Sequence, residues 1–250
     1  MKSIAGEITL VTGGGGGLGR LTALRLANLG AIVVIWDVNK AGMEETVKLV
    51  QTAGGTCYGY VCDLCDKEDI YKKAELVRKE VGKVTILINN AGVAQGLKFL
   101  DSPDKLLIRT MDVNVMSHFW ANGYDINMTA VCPFFIRSTG MFGEVSPKFL
   151  PRLTPNKVAD RIVTAVRCNE KLVIIPGYIR LLLVAKCFLP WASTTMFLQN
   201  LLVDKISDNT SNNVTLKKEE IIPGMVTKDP DTSVIHQQLT RRISSSERKP

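Results

Sequence analysis

The chain is expected to fold as a doubly wound, mainly parallel α/β sheet, and three observations predict this. Apolar runs of strand length alternate with amphipathic stretches of helix length through Asn90, in the order βαβαβαβ; right-handed crossovers turn that order into a parallel sheet with helices on both faces. The run AIVVIW at 31–36 is apolar at every position, as a strand covered on both sides has to be. Between the first run and the first helix lies the cluster TGGGGGLG at 12–19, a turn with almost no Cβ atoms in it.

Each element has its own warrant. Residues 7–12 (EITLVT) form the first strand, and Leu18, Leu21, Leu24, Leu26 and Leu29 recur at helical spacing over 18–29. Residues 40–53 are amphipathic and stop at Gly54-Gly55, 56–62 alternate and are rich in β-formers, and 67–81 make a helix with a charged face stopped by Gly82. TILI at 85–88 reads as a fourth buried strand. A helix carrying Asn114 continues through Val115 to about Trp120, and a buried strand follows almost at once at 127–133. Thr154 offers an N-cap hydroxyl and Pro155 a first helical position for a helix reaching about Cys168, and LVII at 172–175 is a further strand. Residues 1–206 are thus expected to form a single domain, and 207–250, dominated by Ser, Thr, Asn, Lys, Glu and Pro, a disordered tail.

Composition narrows the function. A chain of 250 residues, 46% apolar and 22% charged, can bury a full core. The net charge of +7 is spread along the chain without a cluster of five or six Lys and Arg, so nucleic acid is not an expected partner, while a modest attraction to anionic membrane surfaces is compatible with it. Six cysteines, mostly inside apolar runs, suit reduced thiols facing the cytosol. Cys62 and Cys65 form a C-x-x-C without a second Cys or His pair at ligand spacing, and read as two small hydrophobes near a strand end rather than as a metal site.

The chemistry starts at the glycine cluster. Where a strand hands over to a helix, a glycine backbone can approach a pyrophosphate closely, and the helix N-terminus offers unpaired N–H groups and the positive end of its dipole. Asp37 ends the next strand 20 residues after Gly17, the spacing at which a carboxylate reaches a ribose 2′-hydroxyl. An acid there repels a 2′-phosphate, so NAD is favoured over NADP, with Lys40 close enough to soften the preference. NNAG at 89–92 closes the fourth strand, at the carboxyl end where open α/β sheets bind ligands.

With TGxxxGxG, the acid after the second strand, Asp63-Leu64 after the third, NNAG and Asn114 in VNV, the chain resembles the short-chain dehydrogenase/reductase family, and the sheet is therefore expected to be Rossmann-like. WDVNK, EVGKVTILINNAG and VCPFFIRSTGMF extend the likeness to its membrane-associated retinol and 17β-hydroxysteroid dehydrogenases, over roughly residues 4–189. The resemblance implies that Gly13, Gly17, Leu18 and Gly19 cradle the pyrophosphate, Asp37 holds the adenosine ribose, Asp63 and Leu64 flank the adenine, and Asn90, Ala91 and Gly92 border the cofactor. It implies that Asn114 organises a catalytic water, and that Pro133, Phe134, Phe135 and Thr139 line the nicotinamide. It also implies a lipophilic alcohol as substrate and an endoplasmic reticulum or lipid-droplet surface as location, facing the cytosol.

One part of the family pattern is missing. In the family a tyrosinate exchanges the alcohol proton, a lysine four positions on lowers that tyrosine's pKa, and a serine polarises the substrate oxygen; a phenol near pKa 10 is a poor base at neutral pH without such a neighbour. None of Tyr58, Tyr60, Tyr71, Tyr124 or Tyr178 has Lys four positions on. Fourteen residues separate Asn114 from Thr129, whereas a complete strand–crossover–strand unit takes roughly 30 or more. The expected sheet therefore lacks one central strand–helix unit, unless 127–133 slides into its place, and the chain is expected to have negligible dehydrogenase activity. His118 and Tyr124 are the available substitute bases, and neither has an evident activating lysine.

The segment 176–190, with Arg180 and Lys186 among leucines, is too interrupted for a spanning helix of about 20 apolar residues and suits an interfacial helix or a lid; a core helix over the sheet edge is the plainer alternative. The apolar character continues to 203. The first strand starts within a few residues of Met1, so no N-terminal anchor is expected, and a cytosolic location follows if that anchor is essential. In the tail, Arg241-Arg242-Ile243-Ser244 resembles a basic-directed kinase site, and Asn209 and Asn213 open glycosylation sequons. The alternative to an enzyme is a non-catalytic nucleotide-binding or membrane-associated partner of full-length relatives, with a dimer formed with itself or with such a relative.

Overall fold

The computed structural model describes residues 1–94, 102–121, 129–134, 136 and 153–186, without the side chains of 182, 183, 185 and 186. All lie in the unit Met1–Lys205; the remainder, Ile206–Pro250, falls outside the described residues, and with it the expected tail, its sequons and its kinase-like motif. Phe135, Thr139, Tyr124 and the apolar residues 187–203 are likewise outside them.

The first half builds a regular βα alternation: β1 Ile8–Thr12, α1 Gly17–Asn28, β2 Ile32–Asp37, α2 Lys40–Thr52, β3 Thr56–Val61, α3 Lys67–Glu80 and β4 Ile86–Ile88. These agree with the sequence reading to within a residue or two because glycines end the helices: Gly30, Gly54 and Gly82 all take positive φ, which residues with a Cβ avoid. Asn39 caps α2 through Gly42 N–H, and Asp66 caps α3 through the N–H groups of Glu68 and Asp69.

All strand pairs are parallel, in the order β3-β2-β1-β4, with Leu10 opposite both Val34 and Leu87. One face of this sheet buries Val11, Val33, Ile35 and Cys57 against Ala23, Leu26 and Ala27 of α1 and Met43 and Val50 of α2. The other buries Leu10, Val34, Trp36 and Cys62 against Ile70 and Val77 of α3. Each large side chain so buried contributes about 1.5–3 kcal/mol, so β1 and β2 form the most heavily stabilised part of the described chain.

Beyond β4 come α4 Asp104–Met111, a π-helical turn Asp112–Met116, α5 Ser117–Ala121, β5 Ala130–Pro133, α6 Pro155–Arg167, β6 Leu172–Ile175 and α7 Ile179–Lys186. Here the structure corrects several expectations. The helix that carries Asn114, read in the sequence from Met111, begins at Asp104; α4 buries none of its residues, so its first turns carry no core-facing pattern, and the π turn then shifts the phase. Thr154 occupies the N-cap of α6, but its hydroxyl makes no capping hydrogen bond; Pro155 does hold the first helical position. Strand β4 is half-buried rather than buried, and β5 is mostly exposed.

The last two corrections have one cause. Among the described residues β5 pairs only with β6, as a separate two-stranded parallel sheet, and β4 pairs only with β1. Residues 130–133 have not moved alongside β4. Among the described residues no strand stands between β4 and β5, and these two strands lack the cover that a neighbour and its helix would provide. Helix α6 packs on α1 with Val158, Ala159, Ile162, Val163 and Ala165 buried, and Arg25 of α1 forms an ion pair with Asp160 and donates to Asn156.

Candidate functional site

A cleft of about 1630 Å³ runs along β4 from Lys83 and Thr85 at its amino end to the carboxyl ends of β1, β2 and β4, where it is lined by Gly13, Gly15, Gly16, Gly17, Leu18 and Gly19, by Asp37, by Asp63 and Leu64, and by Asn90, Ala91 and Gly92. Pro133 and Phe134 line it from the other sheet. The residues expected at a cofactor site, Phe135 and Thr139 aside, thus border one space, and Asn114 is hydrogen-bonded to Val93 in its lining.

The glycine turn is built by close approach. Gly13 has a φ of +64°, and a Cβ there would meet Ala91 Cα at 2.9 Å. At Gly19 it would lie 2.2 Å from Gly13 O, and at Gly14 2.7 Å from Ile35 Cγ2. Gly16, the N-cap of α1, is the reverse case: a Cβ would meet nothing within 4 Å, because that side of the turn opens to the cleft. No side chain caps α1 and no acidic residue occupies its first turn, so its leading N–H groups and dipole are available to an anion.

Two groups that the sequence reading did not single out hold the turn. The Thr12 hydroxyl accepts hydrogen bonds from Asn90 N–H and Ala91 N–H, both at 3.1 Å, while Asn90 Nδ2 donates to Thr12 O at 3.0 Å and Gly13 O at 3.2 Å. The NNAG stretch is thereby fastened to the glycine turn. Arg20 donates to Gly15 O at 2.7 Å and to Thr46 Oγ1 at 2.9 Å, and pairs with Glu45 at 2.7 Å, locking the turn to α2. Thr12 stood in the motif as an ordinary strand end; Arg20 carried no signal beyond being a cation just past the last glycine.

Asp37 uses both oxygens on backbone: Oδ2 accepts from Gly15 N–H and Oδ1 from Asn39 N–H, each at 2.8 Å. This fixes the carboxylate at the rim beside Asp63, whose own carboxylate accepts from Cys65 N–H. Lys40 is largely exposed and pairs with Glu44, four residues along α2. The glycines, the open N-terminus of α1 and the oriented carboxylate suit a dinucleotide: the turn and helix end for its pyrophosphate, Asp37 for a ribose diol.

Asn114 lies in the π turn. Its Oδ1 accepts from Val93 N–H and its Nδ2 donates to Val93 O, both at 2.8 Å. Both ends of the amide are engaged in tying this helix to the chain just after NNAG. His118, one helical turn on, lines the cleft, and burial holds its pKa below the ordinary histidine value, so the ring is neutral at pH 7.

The described tyrosines are elsewhere. Tyr58, Tyr71 and Tyr178 are exposed, and none of them borders the cleft. Tyr60 donates to Glu80 at 2.7 Å, and burial, reinforced by that hydrogen bond and the Glu80 charge, pushes its phenol pKa upward, the opposite of what a proton-accepting tyrosine needs. Burial also pushes the Cys62 thiol up to about 12 and the Cys65 thiol to about 11, which makes both poor nucleophiles and poor metal ligands. Among the described residues no group of three or more His, Cys, Asp or Glu is placed to hold a metal ion, and no helix is long and apolar enough to cross a membrane.

Comparison with known proteins accords with this geometry. The family model for short chain dehydrogenases matches residues 7–124, ending at the short connector after α5. Epidermal retinol dehydrogenase 2 of Homo sapiens is 37% identical over an alignment of 248 positions that takes in 76% of this chain and 80% of that protein. Since 76% of 250 residues is about 190, roughly 58 aligned positions of the relative face no residue here. Short-chain dehydrogenase/reductase family 16C member 6 of Bos taurus is 36% identical, covering 71% of this chain and 74% of its own, and 17-beta-hydroxysteroid dehydrogenase 13 of Homo sapiens is 30% identical, covering 76% and 81%. Among solved structures, a short chain dehydrogenase/reductase from Burkholderia phymatum in complex with NAD superposes with a TM-score of 0.62 at 19% identity, over 72% of this chain and 92% of that one. A metagenomic short-chain oxidoreductase in complex with NADP gives 0.56 at 18% identity, over 70% and 98%.

Proposed function

Because the chain belongs to the short-chain dehydrogenase/reductase family, related to its retinol and steroid dehydrogenases, we propose that it binds NAD in the glycine cleft but transfers hydride from lipophilic alcohols at a negligible rate. The bound cofactor would supply the hydride acceptor. Gly13, Gly17, Leu18 and Gly19 would hold its pyrophosphate, Asp37 its adenosine ribose, Asp63 and Leu64 its adenine, and Asn90 to Gly92 with Pro133 its nicotinamide end. Asp37 favours NAD over NADP by charge, since a 2′-phosphate would meet a carboxylate already fixed by two N–H groups.

The observation that carries the proposed inactivity is the absence from the sequence of any tyrosine with a lysine four positions on. The separation of β4 from β5 supports it, since this is where a strand–helix unit would stand, and so does the shortfall of about 58 positions against the human relative. Loss of a positioned general acid–base removes roughly 10²–10⁴-fold in rate, and loss of charge stabilisation around the reacting oxygen a similar factor. His118 is neutral and borders the cleft, but its ring is placed there without a cation to activate a proton relay among the described contacts.

Calorimetric titration of the purified chain with NAD and NADP, followed by addition of all-trans-retinol or estradiol with absorbance at 340 nm, tests the reading. Saturable NAD binding, weaker NADP binding and no NADH formation are expected. Steady NADH formation that disappears in His118→Asn or Tyr124→Phe would overturn the inactivity, and absence of NAD binding would overturn the cradle. A surface role at a membrane or lipid droplet rests on the exposed Tyr178, Leu181 and Val184 around α7; flotation with anionic vesicles checks it.

A further inference from the structure

The four-stranded sheet stops at β4 and the two-stranded sheet at β5, and among the described residues both strands keep one edge open. Both edges border the same cleft: Ile86, Leu87 and Ile88 form one wall, and Ala130, Val131 and Pro133 the other. The open edge of a parallel strand presents backbone N–H and C=O groups, and the partner that satisfies them in register is another extended backbone. An acyl chain or a sterol would cover the apolar side chains and leave those groups unpaired.

The rim of the slot specifies charge. Lys2, Lys83 and Arg167 line the cleft next to Thr85 and Thr129, the residues just before β4 and β5. Lys2 and Arg167 are held together, Lys2 N–H donating to Arg167 O at 2.8 Å and Arg167 Nε to Lys2 O at 3.2 Å. A guest running parallel to β4 would bring its N-terminal end to Lys83 and Arg167, Lys2 being paired already with Glu7. Strand β1 shows what such a strand looks like: it pairs in parallel with β4, Leu10 opposite Leu87, and is preceded by Glu7, whose carboxylate lies 3.5 Å from Lys2.

We propose that the slot between β4 and β5 receives an extended peptide strand from a partner protein, apolar and β-branched through its middle, with an acidic residue at its N-terminal end, running parallel to both strands and joining the two ladders. The inference rests on the sheet topology and the charge of the rim, and is independent of the hydride chemistry.

The hexapeptide acetyl-EITLVT-amide, which copies residues 7–12, carries these features. Labelled with fluorescein at its C-terminus and titrated into the full chain, it is expected to bind saturably by fluorescence anisotropy. N-methylation of two alternate amides removes two backbone hydrogen bonds and is expected to weaken binding by about tenfold or more. Lys83 is exposed, outside the cradle; Lys83→Glu is expected to weaken binding about threefold, with recovery by the peptide bearing Lys in place of Glu. A diazirine on the peptide's leucine is expected to label residues 84–88 and 129–134. Absence of saturable binding, indifference to N-methylation, displacement by palmitate, or labelling confined to Thr56–Val61 at the opposite edge of the sheet would each overturn the proposal.

Discussion

Strands β2 and β5 are both parallel strands of apolar sequence, yet four of six residues of β2 are buried and only Val131 of β5 is even half-buried. Nothing in their side chains explains the contrast. β2 lies between β1 and β3 with helices over both faces, whereas among the described residues β5 pairs only with β6. A buried strand is a property of its neighbourhood, and the two halves of this chain have unequal neighbourhoods. The half that carries the glycine cleft is assembled and internally fastened by Thr12, Arg20 and Asn90; in the other half the described residues form a strand pair that no further described strand joins to β4.

The largest test of that inequality is to remove it. Replacing residues 122–128 by the corresponding strand and helix of human epidermal retinol dehydrogenase 2 is expected to raise NAD-dependent retinol oxidation by at least about 10³-fold over the unmodified chain. A chimera that folds and binds NAD without gaining turnover would break the comparison.

Core truncation gives the next largest effect. Leu26→Ala, at a fully buried position beneath the β1–β3 sheet, is expected to cost about 2–5 kcal/mol in denaturant unfolding. Val131→Ala, at the one half-buried position of β5, should cost less than about 1 kcal/mol, because few atoms lie around the deleted methyl groups. Equal losses would show that β5 is as well packed as the first half. Within the cradle, Gly19→Ala puts a carbon 2.2 Å from Gly13 O and is expected to cost about 1–3 kcal/mol of stability. It should also lower NAD affinity in calorimetry, since relief of that clash moves the turn.

The smallest expected effect is on pH. Burial depresses the pKa of His118, so the folded state resists a proton that the unfolded chain accepts near pH 6.5. The stability linked to the neutral ring is complete above that value and is lost as the pH falls toward and through the folded pKa. Thermal unfolding from pH 7.5 to 5.5 should therefore fall more steeply for the parent chain than for His118→Asn; identical slopes would place His118 in a solvated position.

The same contrast explains how far the sequence could be read. From β1 to α3 the apolar period and the glycine stops agree with the tertiary structure, so boundaries are legible to a residue or two, and the cradle residues Gly13, Gly17, Gly19, Asp37 and Asn90 meet in one cleft. Reading fails where burial and pattern part company. Ile86, Leu87 and Ile88 look like a central strand and are only half-buried, because among the described residues β4 pairs with β1 alone. Ile108, Met111, Val115 and Phe119 recur at helical spacing but are exposed, and the π turn between α4 and α5 hides the continuity of that helix. The roles of Thr12 and Arg20 depend on contacts with residues 78 and 26 positions away, which no local pattern carries.

Native-state hydrogen exchange read by mass spectrometry tests the central claim most directly, because open strand edges exchange by local fluctuation and enclosed strands only by global opening. The amides of β1 and β2 should share the slowest class, and those of Ile86–Ile88 and Ala130–Pro133 should exchange orders of magnitude faster. Uniformly slow exchange from β1 through β6 would mean a continuous sheet, and would contradict it.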